Sequence, residues 1–109
     1  MKTKKFEIYA MSFDGETIKD GEAATIEEAD EIINNWGSKW MYYPYPIIIK
    51  GQTVKRIYGT FYNIKTGENI INKLFAGRRL KTIRRLFKLA FDTHISPEEF
   101  ESNLIDLIQ

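Results

Sequence analysis

Cysteine is missing from this 109-residue chain, which also contains one histidine and three prolines. The absence of cysteine excludes disulfides, thiol nucleophiles and cysteine-based metal sites. A transition-metal site would have to combine His94 with carboxylates such as Asp92, which matches no common zinc or iron spacing. We therefore expect no metal and no cofactor, and we interpret His94 as part of a connector.

Long apolar runs are also missing. The longest uncharged stretch, residues 40–49, contains two prolines and is far shorter than the ~20 residues that a membrane span needs. Glu7 interrupts the N-terminal region before an apolar signal-peptide core could form. These features predict a cytoplasmic protein without membrane segments, and the length predicts one compact domain over residues 1–109.

Catalytic motifs are absent as well. The chain has no G-x-S-x-G, P-loop, G-x-G-x-x-G or H-E-x-x-H pattern. The segment from Gly77 to Thr82 lacks the glycine spacing of a phosphate-binding loop. We predict a non-enzymatic protein with no catalytic residues; an enzyme would need His94 or a pair of carboxylates in a cleft.

Positive charge is concentrated in one part of the chain. Residues 51–88 contain ten Lys or Arg and a single acid, Glu68, whereas the whole chain has a net charge of only +1. The segments on either side are acidic. A basic centre between acidic flanks is typical of a surface for phosphates or an acidic partner, but the flanks could also neutralise it within the domain.

The secondary-structure signals predict an α+β fold, an antiparallel sheet of three or more strands packed by two main helices and a short C-terminal helix. Residues 5–13 alternate as a strand, with Phe6 and Ile8 on one face and Tyr9 and Met11 on the other. Asp14-Gly15 predicts a two-residue turn into a short return strand. Thr25 and Glu28 have the spacing of a capping box for a helix near 26–36.

A second hairpin is predicted where residues 47–49 and 54–58 flank a turn with Gly51. Pro44 and Pro46 are expected to prevent regular central pairing before it. The second strand could continue through residues 60–64, and residues 68–76 fit either a strand or a helix.

The longest helix is predicted near residues 78–91, with an apolar arc opposite a basic one. Leu89 falls outside the apolar arc. A serine, proline and glutamate at positions 96, 97 and 99 predict a last helix near 97–108.

The basic arc predicts contact with the backbone of nucleic acid, because exposed cations on one helix release counterions from phosphates. Two neighbouring cations and two tyrosines that could stack on bases complete the proposed interface. The predicted nucleic-acid-binding residues are Arg78, Lys81, Arg84, Arg85, Lys88, Lys55, Arg56, Tyr58 and Tyr62.

The alternative is a protein-protein adaptor or inhibitor, one form of which is a homodimer in which an acidic helix of one copy meets the basic helix of the other. Such a small protein would also suit the role of an accessory protein of a mobile element. Its interface would use the aromatic segment, namely Trp40, Tyr42, Tyr43 and Tyr45. The sequence leaves open whether the basic face is neutralised by Glu27, Glu28 and Glu31 or by Glu98, Glu99 and Glu101.

Overall fold

The structure, a computed structural model, describes residues 5–59, 70–91 and 97–108. It confirms the predicted α+β class, with a four-stranded antiparallel sheet in the order β2-β1-β3-β4. The elements in chain order are β1 (Phe6–Met11), β2 (Thr17–Ala23), α1 (Ile26–Asn34), α2 (Lys39–Tyr42), β3 (Tyr45–Lys50), β4 (Thr53–Ile57), α3 (Ile70–Phe75), α4 (Leu80–Phe91) and α5 (Pro97–Ile108).

The sheet is covered on both faces. Strand β1 sends Ile8 into a small core with Ala29 and Ile33 of α1. It sends Met11 into a larger core that α3, α4 and α5 complete. The alternation predicted for β1 is therefore correct, and it separates an α1 side of the sheet from an α4 side.

Aromatic rings fill much of the core on the α4 side. Phe87 lies 4.9 Å from Tyr45, 5.6 Å from Phe75 and 5.5 Å from Phe100 between ring centroids. Phe13 lies 4.4 Å from Phe100. Burial of each such side chain contributes roughly 1.5–3 kcal/mol, so this cluster fixes α4 and α5 against the sheet.

Helix α1 begins at the predicted cap. The backbone N–H of Glu28 donates to the Thr25 hydroxyl oxygen at 3.1 Å, and the Glu28 carboxylate accepts from the backbone N–H of Ala24 at 3.0 Å. The carboxylate thus reaches one residue further back than in the standard capping box. Ala29 and Ile33 are buried, which gives the helix its apolar face.

The two hairpins differ in their turns. Gly51 and Gln52 have φ values of 59° and 73°, the geometry of the predicted tight turn between β3 and β4. In the first hairpin only Gly15 has a positive φ, 92°. There the backbone N–H of Ser12 donates to the Glu16 carbonyl at 2.8 Å, so the turn is longer than the predicted two residues.

Pro46 lies inside a central strand, contrary to the expectation that the prolines would prevent such pairing. It is opposite Ala10 of β1, and its carbonyl accepts from the backbone N–H of Tyr58 at 2.8 Å. The nitrogen of Pro46 therefore faces the β4 side, just past Ile57, where β4 ends. The ladder loses little because the missing N–H falls beyond the regular pairing.

The sheet has two bulges, one at Asp20 of β2 and one at Lys55 of β4, and the second changes which side chains of β4 face which side. Ile48 and Ile49 of β3 pair with Arg56 and Val54, so Lys55 is the extra residue of β4. Because of this bulge Val54 and Ile57 both enter the core on the α4 side, three positions apart.

Two short helices complete the described part of the chain. Residues 68–76 were predicted to be either strand or helix, and Ile70–Phe75 form α3. The predicted linker before β3 contains α2. The possible strand at 60–64 and the serine cap at position 96 lie outside the described residues.

Candidate nucleic-acid interface

Helix α4 separates apolar and basic side chains on opposite faces. Ile83, Leu86, Phe87 and Ala90 are buried. Four cations at i, i+3, i+4 and i+7 are exposed along the other face, and we call them the basic strip: Lys81, Arg84, Arg85 and Lys88. This spacing places all four on one side of a helix.

The start of α4 is attached to the edge of the sheet. The backbone N–H of Val54 donates to the Arg78 carbonyl, and that of Gly77 donates to the Val54 carbonyl, both at 2.8 Å. Arg79 forms an isolated β-bridge with Thr53. These bonds fix the N-terminal end of the helix relative to β4.

The middle of α4 packs against the turn between β1 and β2. Gly15 is so close that a Cβ at this position would lie 2.9 Å from the Arg84 carbonyl oxygen and 3.1 Å from the Phe87 Cβ. The same glycine has a φ of 92°, a conformation that other residues rarely adopt. The helix is thus held at both its start and its centre, which gives the basic strip a fixed geometry.

The basic strip makes no ion pair within 4.0 Å among the residues that the structure describes, whereas Lys5, Lys19, Lys39 and Arg56 all make one. Within the described residues the four side chains of the strip are therefore exposed and not held in an ion pair.

Asp14 is an acid in the electrostatic environment of the strip. A hydrogen bond from the Ser12 hydroxyl is the main reason why the pKa of Asp14 lies below its usual value, and the charge of Lys88 lowers it further. Because the carboxylate is already bonded to the turn, it stabilises the hairpin more than it neutralises the helix.

An open groove of about 590 Å³ runs along the outer face of α4. Thr82 and Leu89 lie in its lining together with the four cations of the strip. Leu89 is 53% exposed, so this apolar side chain borders the charged surface. Thr82 had no distinguishing signal in the sequence, since a threonine in a helix is common on any face.

Two of the other predicted cations, Arg78 and Lys55, lie outside the strip. Helix α4 begins at Leu80, so Arg78 precedes it. The Arg78 Nε donates to the Leu74 carbonyl at 2.9 Å and so provides a hydrogen bond for a carbonyl at the C-terminal end of α3. Lys55 is exposed at the bulge of the edge strand β4. Neither belongs to the lining of the groove among the described residues.

Arg56 and Tyr58 face the α1 side, so the structure does not bring them together with the basic strip. The Arg56 guanidinium donates to the Asp30 carboxylate at 2.5 Å. Tyr58 packs with Trp40 at 6.5 Å between ring centroids. The bulge at Lys55 is the physical reason, because it reverses the face of the residues that follow. Tyr62 lies outside the described residues.

The aromatic segment is divided between core and surface. Tyr45 is 3% exposed and belongs to the core on the α4 side, so it is not a surface residue as the protein-interface alternative assumed. Trp40 is half-buried, and its indole N–H donates to the Ile33 carbonyl at 3.1 Å. Tyr43 is also half-buried, whereas Tyr42 is 72% exposed.

The glutamates that could have neutralised the basic face lie elsewhere or make no described pair with it. Glu27, Glu28 and Glu31 are exposed on α1, which packs on the opposite face of the sheet. Glu99 is exposed on α5 and has an interaction partner of its own. The side chains of Glu98 and Glu101 lie outside the described residues.

Within residues 5–59, 70–91 and 97–108, no three His, Asp or Glu side chains group as a metal site requires. Across those same ranges no helix combines the length and apolar character needed to cross a bilayer. His94 lies outside them.

Comparisons of this chain with models of known protein families, with curated protein sequences and with solved structures find no match.

Proposed function

We propose that this protein binds the phosphate backbone of nucleic acid through the basic strip of α4 and catalyses no reaction. The observation that carries the proposal is that four cations line one exposed helix face with no ion pair to a described acid. Cations already paired within a protein gain little from a phosphate, whereas solvent-facing ones release counterions from it on contact.

The geometry supports backbone contact more than base recognition. Lys81 and Lys88 are seven residues apart, which corresponds to about 10.5 Å along a helix axis. Arg84 and Arg85 lie between them and can form bidentate hydrogen bonds to phosphate oxygens. Four phosphate contacts predict that the logarithm of the association constant falls with the logarithm of salt concentration with a slope of roughly −3 to −4.

Fluorescence anisotropy with labelled oligonucleotides at 50 and 200 mM salt tests the proposal. Affinity should decrease roughly 100-fold over this range, and the double variant Arg84→Glu/Arg85→Glu should abolish binding at the lower concentration. Both arginines are exposed, so circular dichroism should show an intact fold.

The matched control is Lys5→Glu/Lys19→Glu, which changes the net charge by the same amount at two exposed lysines of the β1–β2 region. It should retain most of the affinity because neither lysine belongs to the basic strip. Equal losses in the two double variants, or no binding at 50 mM salt, would refute the proposal.

A protein-binding surface on α2 is the second candidate. Met41 and Tyr42 are 80% and 72% exposed, next to a framework in which Trp36 and Trp40 pack at 5.8 Å between ring centroids. Exposed large side chains on a rigid base are typical of interface anchors. Affinity capture with the unchanged protein and with Met41→Glu/Tyr42→Glu tests this: a partner bound equally by both would exclude these anchors.

A further inference from the structure

We infer that the ligand of the basic strip is double-stranded DNA, contacted across its backbone, rather than a single strand. This inference rests on the proposed function and specifies the class of nucleic acid that is bound. It follows from where the structure places the aromatic side chains relative to the cations.

Binding of single strands depends on aromatic rings beside a cationic groove, because each base that stacks on a ring adds affinity. The described aromatic residues do not form such a platform beside the strip. Tyr58 and Trp40 pack together on the α1 side of the sheet. Phe87 is buried beneath the strip. Phe91 is 39% exposed, but it is a single ring whose edge contact with Phe13 at 5.1 Å holds it against the core.

Among the described residues that line the groove with the cations, the apolar side chain is Leu89, which is 53% exposed and has no π face. An aliphatic side chain cannot replace a stacking platform. It can contact sugars or thymine methyl groups at the edge of a groove, as apolar side chains do in duplex complexes.

The spacing of the cations along α4 fits the regular phosphate backbone of a DNA duplex. The major groove of B-form DNA is about 12 Å wide, close to the roughly 10.5 Å between the levels of Lys81 and Lys88 on the helix. A helix lying over this groove places its two end cations near the phosphates on either rim. In A-form RNA the major groove is narrow and deep, so the same arrangement is not available.

The attachment of α4 strengthens this argument. The backbone bonds of Gly77 and Arg78 with Val54 of β4, together with the close approach of Gly15 to Arg84, hold the helix backbone in place. With the helix backbone already in place, binding a regular duplex orders only the exposed Lys and Arg side chains, whereas a flexible strand would itself have to be ordered to match them.

The test compares four labelled probes of one sequence in fluorescence anisotropy at 50 mM salt: a 20-base-pair DNA duplex, the RNA duplex and each DNA single strand. We expect the DNA duplex to bind about ten-fold more tightly than the other three, because they lack either the groove or the regular backbone. Arg85→Gln should weaken duplex binding several-fold, whereas Tyr42→Ser, which removes an exposed ring of α2, should leave it unchanged.

The outcomes separate this inference from the proposed function. Single strands or RNA duplex binding as tightly as DNA duplex would overturn the inference and leave backbone binding intact. No binding of any probe would overturn both. Competition by poly-glutamate as effective as competition by unlabelled duplex would also overturn the inference, since the strip would then recognise negative charge in an acidic polypeptide.

Discussion

The α1 side and the α4 side of the sheet use the same kinds of cation in different ways. On the α1 side, Arg56 pairs with Asp30, and Lys39 pairs with Asp20. On the α4 side, the four cations of the basic strip have no such partner among the described residues. Charge alone therefore does not define a binding surface, because the topology decides which cations are already neutralised.

The two sides also differ in what a cation does for stability. Asp20 accepts hydrogen bonds from both Lys39 and the Trp36 indole N–H, the latter at 2.9 Å. These bonds connect β2 to the segment that carries α2. The cations of the strip connect nothing in the described structure, so their removal should affect binding and leave folding almost unchanged.

The largest expected effect is on the free energy of unfolding, and it compares one glycine from the α4 side of the sheet, Gly15, with one from the segment between α1 and α2, Gly37. Gly15→Ala should lower the free energy of unfolding by roughly 2–4 kcal/mol, because it adds the cost of a positive φ to a clash with the Arg84 carbonyl. Gly37→Ala is the matched control, since Gly37 has a φ of 63° but nothing within 4 Å of a Cβ. We expect it to cost roughly 1 kcal/mol.

Urea denaturation of both glycine variants measures the difference. If Gly15→Ala proved no more destabilising than Gly37→Ala, the close packing of the first hairpin on α4 would be wrong.

A smaller difference in stability is expected between variants of Arg56, which forms an ion pair, and Arg85, which forms none with a described residue. Arg56→Met should destabilise the protein by roughly 1–2 kcal/mol, because Asp30 loses its cation while its Oδ1 is already buried without a hydrogen-bond partner among the described residues. Arg85→Met should change stability by less than about 0.5 kcal/mol, since like charges surround it. Equal losses in thermal or urea unfolding would remove the distinction between the two sides.

The smallest effect is the pH dependence from Asp14. Its pKa is lower in the folded protein than the usual value of 3.8. The ionised Asp14 carboxylate therefore stabilises the folded protein fully at pH values above 3.8. This stabilisation is lost as the pH falls through the lower pKa that Asp14 has in the folded protein. NMR titration should show that Ser12→Ala raises the pKa of Asp14 more than Lys88→Gln does, because the hydroxyl hydrogen bond is the larger cause. The reverse order would mean that the helix charge dominates.

Local signals in the sequence predicted much of the fold. The Thr25 cap, the turn at Gly51 and the proline at position 97 mark boundaries through interactions within a few residues, and each element was predicted near its observed place. The alternation in β1 was also sufficient to assign its two faces. Such features depend on chain neighbours, which a sequence displays directly.

The composition of the candidate site was harder to predict because it depends on strand register. Regular alternation would place Val54, Arg56 and Tyr58 on one face, but the bulge at Lys55 separates Val54 from the other two. A lysine carries no sequence mark of a bulge. Pro46 was likewise misjudged because its effect depends on where the neighbouring strand ends, which is a property of the assembled sheet.

The basic strip itself was predictable, since helical periodicity places its four cations on one face. The sequence could not predict whether acids neutralise these cations, because neutralisation depends on which side of the sheet each helix covers.

Helices α1 and α4 carry charge of opposite sign and pack on opposite faces of the sheet, while the acidic helix α5 packs on the same face as α4. The glutamates of α1 are exposed on one side and the strip on the other. The placement of α1 and α4 on opposite faces also determines how copies of the chain could associate through them. A contact between α1 of one copy and α4 of the next is head-to-tail, and such contacts build rings or open chains instead of a symmetric dimer.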